Sequence, residues 1–393
     1  MTQHDPFSST MEGGAKRSLR TLNDGLTAWL VNDAYPRWAQ HGIDPRDGGF
    51  FEALGQDGRA LTHPRRARVH PRQIYAFAQA PAFGWRGDAA GIADRGIKYF
   101  TAHYLRSDGL FRTLADDDGT ALDDRALLYD QAFALLGFAA AATALDARGE
   151  FERRALALRS AIDTRLGTPG GSFLSERAVH TVRESNPHMH LLEACLAWAA
   201  IGNDSGWSAW VRSLVDVAVA HFIRRDSGAL GECYTPTWQP SAGVAGRAIE
   251  PGHQFEWAWL LLRCELHHPA PLRETALRLL WIGEQYGVRR GVAINQLLDD
   301  MTVADPNARF WPQTERLKAA LLAAQLTGQP QYWTMAHQAA MSFLPFLNTQ
   351  LPGLWFDMRR PSGEFIDSPV PASTLYHLVG AIAALNSALH STA

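Results

Sequence analysis

The stretch DPRDGGFFEALGQDG, Asp44–Gly58, joins a glycine turn to aromatic residues, and it recurs in altered form along the chain. Its counterparts are SDGLFRTLADDDG (Ser107–Gly119), GTPGGSFLSE (Gly167–Glu176), RDSGALGECY (Arg225–Tyr234), GVRRGVAINQLLDD (Gly287–Asp300) and LPGLWFDMRRPSG (Leu351–Gly363). Five of the six pair glycine with a short run that contains an aromatic residue. Successive members lie roughly 60 residues apart, the length of two helices with their connections. The chain therefore carries an internal repeat.

The segments between these turns are rich in Ala and Leu, with apolar residues three and four positions apart, which predicts helices. Six helical hairpins, each followed by a short extended piece, predict an all-α (α/α)6 barrel around a central cavity, with β-hairpin-like connections. An open helical array is the alternative, but a solenoid needs capping repeats that the sequence does not show. We expect one catalytic barrel domain over residues 17–393 and a disordered N-terminus over residues 1–16.

The composition narrows the classes of partner. The chain has 393 residues, a net charge of −3 and no run of Lys or Arg, which argues against nucleic-acid binding. Three cysteines without CxxC spacing argue against a disulfide framework or a cysteine-rich zinc site. The polar N-terminus lacks signal-peptide features, and the longest apolar run contains Asp130 and Gln131, so we expect a cytoplasmic protein without a membrane span. A small molecule is the expected partner.

Polar residues cluster after each glycine turn, where the inner helices of such a barrel would begin. The clusters comprise Arg68, His70, Arg72, Gln73 and Tyr75; Tyr129, Asp130 and Gln131; Asn186, His188, His190 and Glu193; Glu250, His253, Gln254 and Glu256; Arg309, Trp311, Gln313 and Glu315; and Ser373, Thr374, Tyr376 and His377. The fourth lies in IEPGHQFEWAW, Ile249–Trp259, at the start of an apolar helix. Burying such groups unpaired costs several kcal/mol, so the cluster is either a satisfied network or a site.

Four motifs give the chain a resemblance to a known family. NPHMHLLEA, EPGHQFEWAWLL, WPQTE and STLYHL occur in this order. With them the chain resembles the N-acylglucosamine 2-epimerase superfamily, which includes cellobiose 2-epimerases, mannose isomerases and sulfoquinovose-type aldose–ketose isomerases. The similarity runs from about residue 20 to the C-terminus and is greatest to the D-mannose isomerase branch. It implies an (α/α)6 barrel, which agrees with the repeat, and a monomer or homodimer.

The resemblance also implies roles for individual residues. His253 and His377 match catalytic acid/base histidines, Arg72 and His188 match residues that hold substrate oxygens, and Glu256 and Glu315 match supporting carboxylates. The chemistry is consistent, because moving a proton alpha to a carbonyl needs a base that titrates near neutrality. Glu256, one turn after His253, is expected to orient that imidazole, and Trp311 or Trp257 to offer the sugar an apolar face. The scheme needs no cofactor and no metal.

The implied activity is isomerisation of D-mannose and D-fructose through a cis-enediolate, with sugar 2-epimerisation as the alternative. Phosphorylated sugars remain possible substrates, although no phosphate-binding loop is visible. An inverting glycoside hydrolase using Asp130, Glu256 and Glu315, or a non-catalytic sugar-binding protein, are readings outside this class.

Some of these residues also have structural interpretations. His188 and His190 suggest a zinc site, but they lie about 200° apart on a helix, so we expect His190 to pack on the rear face. Asp130 is equally a substrate contact or a buried acid that supports a loop. Asn186 completes the predicted set of substrate-binding residues.

Overall fold

The computed structural model describes residues 6–176, 182–265 and 271–390, with side chains from residue 14 onward. The α-helices in this part of the chain are α1 (Pro6–Trp29), α2 (Tyr35–His41), α3 (Val69–Gln79), α4 (Ala89–Tyr104), α5 (Leu128–Ala144), α6 (Arg148–Leu166), α7 (Ser185–Ile201), α8 (Gly206–Val217), α9 (Val244–Arg247), α10 (Pro251–Cys264), α11 (Arg273–Gly287), α12 (Trp311–Thr327), α13 (Pro330–Met341), α14 (Phe343–Leu347) and α15 (Ser373–His390). Two π-helical segments (Leu30–Ala34 and Ala218–Phe222) and one 3₁₀ segment (Ala80–Phe83) extend helices.

The strands are short and belong to the connections. They are β1 (Ala53–Leu54), β2 (Arg65–Arg66), β3 (Leu114–Ala115), β4 (Ala121–Asp123), β5 (Arg183–Glu184), β6 (Cys233–Tyr234), β7 (Ala248–Ile249), β8 (Val288–Arg289), β9 (Val292–Ala293), β10 (Gln296–Leu298), β11 (Val303–Asp305), β12 (Ala308–Arg309), β13 (Met358–Arg359) and β14 (Val370–Pro371). Among them β2–β3–β4 form a three-stranded antiparallel ribbon, and β1–β14, β5–β6, β8–β9 and β12–β13 form antiparallel pairs.

The chain divides into two compact units. The first comprises Met1–Ala34, Ile249–Ser368 and His377–Ala393, and the second comprises Tyr35–Ala248 and Pro369–Tyr376. The proposal of a single domain over residues 17–393 stays a prediction. Helix α1 begins at Pro6, inside the segment 1–16 for which the sequence predicts disorder, while residues 1–5 lie outside the described residues.

Helical hairpins build both units. In the second unit α3 packs on α4, α5 on α6 and α7 on α8, and α5 also lies between α3 and α7. In the first unit α10 packs on α11 and α12 on α13, α10 contacts α12, and α13 contacts α1. Helix α5 is buried from Asp130 through Ala142 without interruption, as expected of an inner helix that is apolar all round. No helix in the described ranges is long and apolar enough to cross a membrane.

A hydrogen bond from an inner helix to the preceding glycine turn recurs in four of the repeats. The backbone N–H groups of Phe111 and Ala293 donate to the Oε1 atoms of Gln131 and Gln313, each at 2.7 Å. The N–H of Phe173 donates to His188 Nε2 at 3.0 Å, and that of Phe50 donates to His70 Nδ1 at 3.3 Å. All four acceptor residues are buried. We call these four side chains the turn staples.

Each staple in the three later repeats also bonds one helical turn back. Gln131 Nε2 donates to the carbonyl of Leu127 at 3.0 Å, Gln313 Nε2 to that of Arg309 at 2.8 Å, and His188 Nδ1 lies 2.7 Å from that of Glu184. His188 therefore has Nδ1–H as donor and Nε2 as acceptor, which is the neutral tautomer. Burial lowers the pKa of His188 to about 4, and burial also holds the pKa of His70 well below its usual value.

The His188 staple predicts a specific pH dependence of stability. Because its folded pKa is depressed, the unfolded chain binds more protons between pH 6.5 and about 4, so stability is complete above about pH 6.5 and falls as the pH drops toward 4. The residue contributes a loss on the order of 3 kcal/mol over that range. His188→Gln installs the side chain that the protein uses at residues 131 and 313, so it should keep the turn bound while weakening this dependence.

Chemical denaturation of wild type and His188→Gln at several pH values measures the effect, with exposed His63→Gln as the matched control. We expect wild type and His188→Gln to have similar free energies of unfolding at pH 7, and His188→Gln to be the more stable of the two near pH 4.5. Equal acid sensitivity of His188→Gln and wild type would refute the assignment.

Candidate active site

In the first unit, Glu315 holds two basic side chains in a buried position. Its Oε1 lies 2.8 Å from His377 Nδ1, and its Oε2 lies 2.7 Å from Lys318 Nζ. All three side chains are buried, and the Lys318 ammonium also lies 3.7 Å above the ring of Trp259. Burial acts to raise the pKa of Glu315, but the charges and hydrogen bonds of Lys318 and His377 outweigh it and lower that pKa. The Glu315 carboxylate is therefore ionised, and it fixes the positions of the His377 ring and the Lys318 ammonium.

This contact fixes the tautomer of His377. With Nδ1–H directed at the carboxylate, the neutral imidazole presents Nε2 as the nitrogen that can accept a proton. The partner carboxylate also stabilises the imidazolium that proton uptake creates, which is the arrangement a general base needs. The sequence predicted Glu315 as a supporting carboxylate but did not assign it to His377. Lys318 was missed, although a lysine three residues after a glutamate in an otherwise apolar helix was a visible signal.

Trp311 is in ring contact with both predicted catalytic histidines. Its ring centroid is 5.3 Å from that of His253 and 5.5 Å from that of His377, with interplanar angles of 38° and 34°. The three side chains come from the starts of α10, α12 and α15, so three different helices converge here. Both histidines are nearly buried, with 4% and 6% relative exposure. The structure thus brings His253, Trp311, Glu315 and His377 together within one unit.

Two further glutamates belong to this set. Glu250, the N-cap residue of α10, places Oε2 at 3.7 Å from His253 Nδ1, an electrostatic contact that the sequence analysis did not use. Glu256 is buried, and its carboxylate lies within 4.8 Å of ligand atoms of both Glu315 and His377. The expected pairing of Glu256 with His253 stays a prediction, whereas its position beside the Glu315–His377 pair was not foreseen.

The same three residues, Glu256, Glu315 and His377, are close enough to suggest a metal site. However, both carboxylate oxygens of Glu315 already contact a basic nitrogen, one of them the Lys318 ammonium. A divalent cation here would lie next to that ammonium and would have to displace it. The donor set is better suited to holding protons than to holding a metal ion.

In the second unit, Arg72 is surrounded by aromatic side chains. Its Nη2 donates to Tyr129 Oη at 2.5 Å, and its guanidinium lies 4.0 Å above the ring of Phe133 and 5.7 Å from that of Tyr376. Tyr376 Oη donates to Glu193 Oε2, whose carboxylate also lies 3.5 Å from His190 Nδ1. The result is a compact group of polar and aromatic side chains around a cation that is only 6% exposed.

The two histidines on α7 lie in different environments. His188 was predicted to hold substrate oxygens, but both its ring nitrogens bond to backbone groups as a turn staple. His190 was predicted to pack on the rear face, but its ring lies 4.5 Å from Phe133 and 5.1 Å from Tyr129, in the group around Arg72. The two side chains therefore have separate partners, and the functional role of each stays a prediction. The sequence offered no way to choose between two histidines of opposite direction.

Asp130 and Asn186 have different environments. Asp130 is fully buried, its Oδ1 lies 3.0 Å from Arg68 Nε, and burial raises its pKa despite that arginine. This fits the structural interpretation of Asp130. Asn186 lines a cavity of about 440 Å³ together with Arg68 and Tyr129. Its buried Oδ1 has no hydrogen-bond partner among the described residues, so it is available to a bound molecule.

Comparison with known proteins places this geometry in a family. Residues 49–381 match the family model of N-acylglucosamine 2-epimerase. A protein of Rhizobium meliloti (strain 1021) named mannose-6-phosphate isomerase is 42% identical over 93% of this chain and 96% of its own length. A D-mannose isomerase of Marinomonas mediterranea is 26% identical over 86% of this chain and 91% of its own.

A crystal structure of D-mannose isomerase superposes with a TM-score of 0.81 at 22% identity, covering 98% of this chain and 100% of the other. This likeness confirms the all-α (α/α)6-barrel fold class that the repeat predicted. Since both the family model and a relative at 42% identity span most of the sequence, the chain belongs to the N-acylglucosamine 2-epimerase family of sugar epimerases and isomerases.

Proposed function

We propose that the protein interconverts D-mannose and D-fructose by proton transfer through a cis-enediolate. The observation that carries the proposal is that the rings of His253 and His377 both lie against Trp311, with centroids 5.3 and 5.5 Å from that of the indole. Two imidazoles on one indole give a sugar an apolar surface to lie against and two groups that exchange protons near neutral pH. The name of the 26% identical relative, D-mannose isomerase, supports the same reaction.

The proton inventory is simple. After ring opening, one imidazole removes the proton from C2 of the aldose, and the electron pair moves to make a C1–C2 double bond while the C1 oxygen becomes anionic. A proton returned to C1, together with transfer of the C2 hydroxyl proton to the C1 oxygen, gives the ketose and leaves the number of protons unchanged. Electrons balance within the sugar. His377, oriented by Glu315, is the better equipped of the two bases, because the carboxylate stabilises its protonated form.

Arg72 and His190 are proposed to stabilise developing negative charge on substrate oxygens. The family resemblance is the ground for this proposal, and the near-complete burial of Arg72 means that its guanidinium is poorly screened within its own unit. His190, which replaces His188 in this proposal, is held by Glu193. Asn186 is proposed to contact a substrate hydroxyl through its unpartnered oxygen.

Epimerisation at C2 is the second candidate. The presence of two separate imidazoles favours it, since inversion removes the proton from one face of C2 and returns a proton to the opposite face. Glycoside hydrolysis fits poorly, because it needs a protonated carboxyl as general acid. Glu315 is held ionised by Lys318 and His377. Asp130, although burial raises its pKa, is 0% exposed and so has no surface to offer a glycosidic oxygen.

Incubation with D-mannose, and separately with mannose 6-phosphate, in deuterated buffer tests the reaction. Proton NMR should show fructose from free mannose, with deuterium at C1 or C2. His253→Asn and His377→Asn should each lower kcat about 10³-fold, because the proton acceptor is lost. His221→Asn, on a partly exposed histidine, is the control. Glucose as the main early product would replace isomerisation by epimerisation, and no exchange with either sugar would refute both.

Lys318 provides a separate test of the Glu315 anchor. Lys318→Met removes the cation that most lowers the pKa of Glu315, so that pKa should rise and His377 should lose its ionised partner at a higher pH. The acidic limb of the kcat/KM profile should therefore move up by about one pH unit. Lys318→Arg should restore the limb, and exposed Lys98→Met should leave it unchanged. A limb that stays in place in Lys318→Met, with the variant folded by circular dichroism, would show that Glu315 does not control the base.

A further inference from the structure

A second cavity, of about 280 Å³, lies in the first unit beside the β8–β9 hairpin. Its lining residues do not include His253, Trp311, Glu315 or His377, which we call the proton-transfer set. Four arginines line it: Arg289 and Arg290 from the hairpin, and Arg359 and Arg360 from β13 and the residue after it. Its remaining walls are apolar and include Val292 and Ile294. The chain as a whole carries a net charge of −3, so four guanidiniums around one cavity are a local concentration of positive charge.

Three of these arginines bond to backbone carbonyls and not to acids. Arg289 Nη1 donates to the carbonyl of Val288 at 2.9 Å, Arg290 Nη1 to that of Pro361 at 2.9 Å, and Arg359 Nε to that of Gly363 at 3.3 Å. Among the described residues none of the three forms a salt bridge, whereas Arg360 lies 3.8 Å from Glu364. Carbonyl contacts orient a guanidinium without neutralising its charge, so its remaining N–H groups can donate hydrogen bonds to a bound anion.

Arg290 is held in a backbone conformation that an arginine rarely adopts. Arg290 and Gly291 are the two loop residues of the hairpin, with φ of 50° and 82°, the signs expected of a type I′ turn. Such turns favour Asn or Gly at the first position, because a positive φ costs a longer side chain roughly 1 kcal/mol. Strained residues of this kind concentrate at binding sites.

The hairpin is nevertheless rigidly anchored. Buried Arg316 donates through Nη1 to the carbonyl of Gly291 at 3.0 Å, and its Nε and Nη2 bond to Glu284 at 2.5 and 2.9 Å. This ion pair fixes the turn, and therefore the backbone from which the Arg290 side chain extends. Rigid support of a charged side chain beside a cavity is what selective anion binding requires.

We propose that this cavity binds the phosphate group of a small phosphate ester, with Arg290 and Arg359 as principal ligands and the apolar wall in contact with the carbon skeleton. Guanidinium groups bind phosphate oxygens through paired, charge-assisted hydrogen bonds, and several of them around one concavity suit a dianion. A volume of about 280 Å³ accommodates a small molecule and no folded partner. The site goes beyond the proposed proton-transfer reaction and does not depend on it.

Isothermal titration with D-glucitol 6-phosphate tests the proposal, because this probe carries the phosphate ester but no carbonyl on which the proposed chemistry could act. Inorganic phosphate and D-glucitol serve as the two partial probes. Arg359→Gln and Arg290→Asn should each weaken binding about tenfold or more by removing charge-assisted bonds. Arg86→Gln removes one exposed positive charge elsewhere and should not. Arg290→Asn should also leave unfolding stability unchanged or raised, since Asn-Gly suits the turn.

Binding of inorganic phosphate alone to about the same extent would support a site that recognises the phosphate group by itself. Tighter binding of the ester would support a contribution from the apolar wall. The proposal would be overturned if neither D-glucitol 6-phosphate nor inorganic phosphate bound. It would also be overturned if wild type, Arg359→Gln and Arg290→Asn bound equally well, or if Arg86→Gln lost as much affinity as they did. Turnover of free mannose by Arg290→Asn should match wild type, so a failed reaction and a failed site are separable.

Discussion

A buried backbone N–H group must find an acceptor, and this requirement organises the connections of the protein. Each of four glycine turns contains one such buried N–H, and a side chain from the following inner helix accepts its hydrogen bond. The donors are Phe50, Phe111, Phe173 and Ala293. Left unsatisfied, each would cost about 1 to 3 kcal/mol. Because the acceptor lies in the first or second turn of the inner helix, the same bond sets where that helix starts. The candidate-site side chains His253, Trp311 and His377 also lie near the starts of their helices, and α12 is one of the helices that carries a staple.

His377, in the proposed proton-transfer site, is bonded differently from the turn staples. Three of the turn staples have both hydrogen-bonding ends engaged with backbone, and the fourth, His70, contacts the Tyr104 hydroxyl with its second nitrogen, so all four are fully engaged. His377 instead has one nitrogen committed to a carboxylate, and that carboxylate is kept ionised by a lysine lying over an indole. A chain of three charged or chargeable groups in a buried setting is stable because every member faces a partner of opposite sign. The contact of His377 with an ionised carboxylate therefore distinguishes it from the turn staples, and burial alone does not.

The sequence predicts the architecture well, and the site in part. The recurring glycine turns and the apolar helices between them are sufficient for the barrel, because both depend on local chemistry. The polar clusters were also located correctly, and His253, Trp311, Glu315 and His377 do meet. What the sequence could not supply is the function of each polar residue. His188 and His190 differ by two positions, and only the path of the preceding turn decides which of them meets a backbone N–H. The contact of Lys318 with Trp259 and the bond from Arg316 to the turn of Arg290 likewise depend on distant segments.

The position of Trp311 also has a spectroscopic consequence. Indole emission is quenched by a protonated imidazole in contact with the ring, and Trp311 has two imidazoles within 5.5 Å of its ring centroid. The emission of this one residue, out of 13 tryptophans, should therefore report the protonation state of the histidine pair. A difference spectrum between the native chain and a Trp311→Phe variant isolates that signal. The protein thus contains an intrinsic fluorophore at the centre of its proposed proton-transfer site.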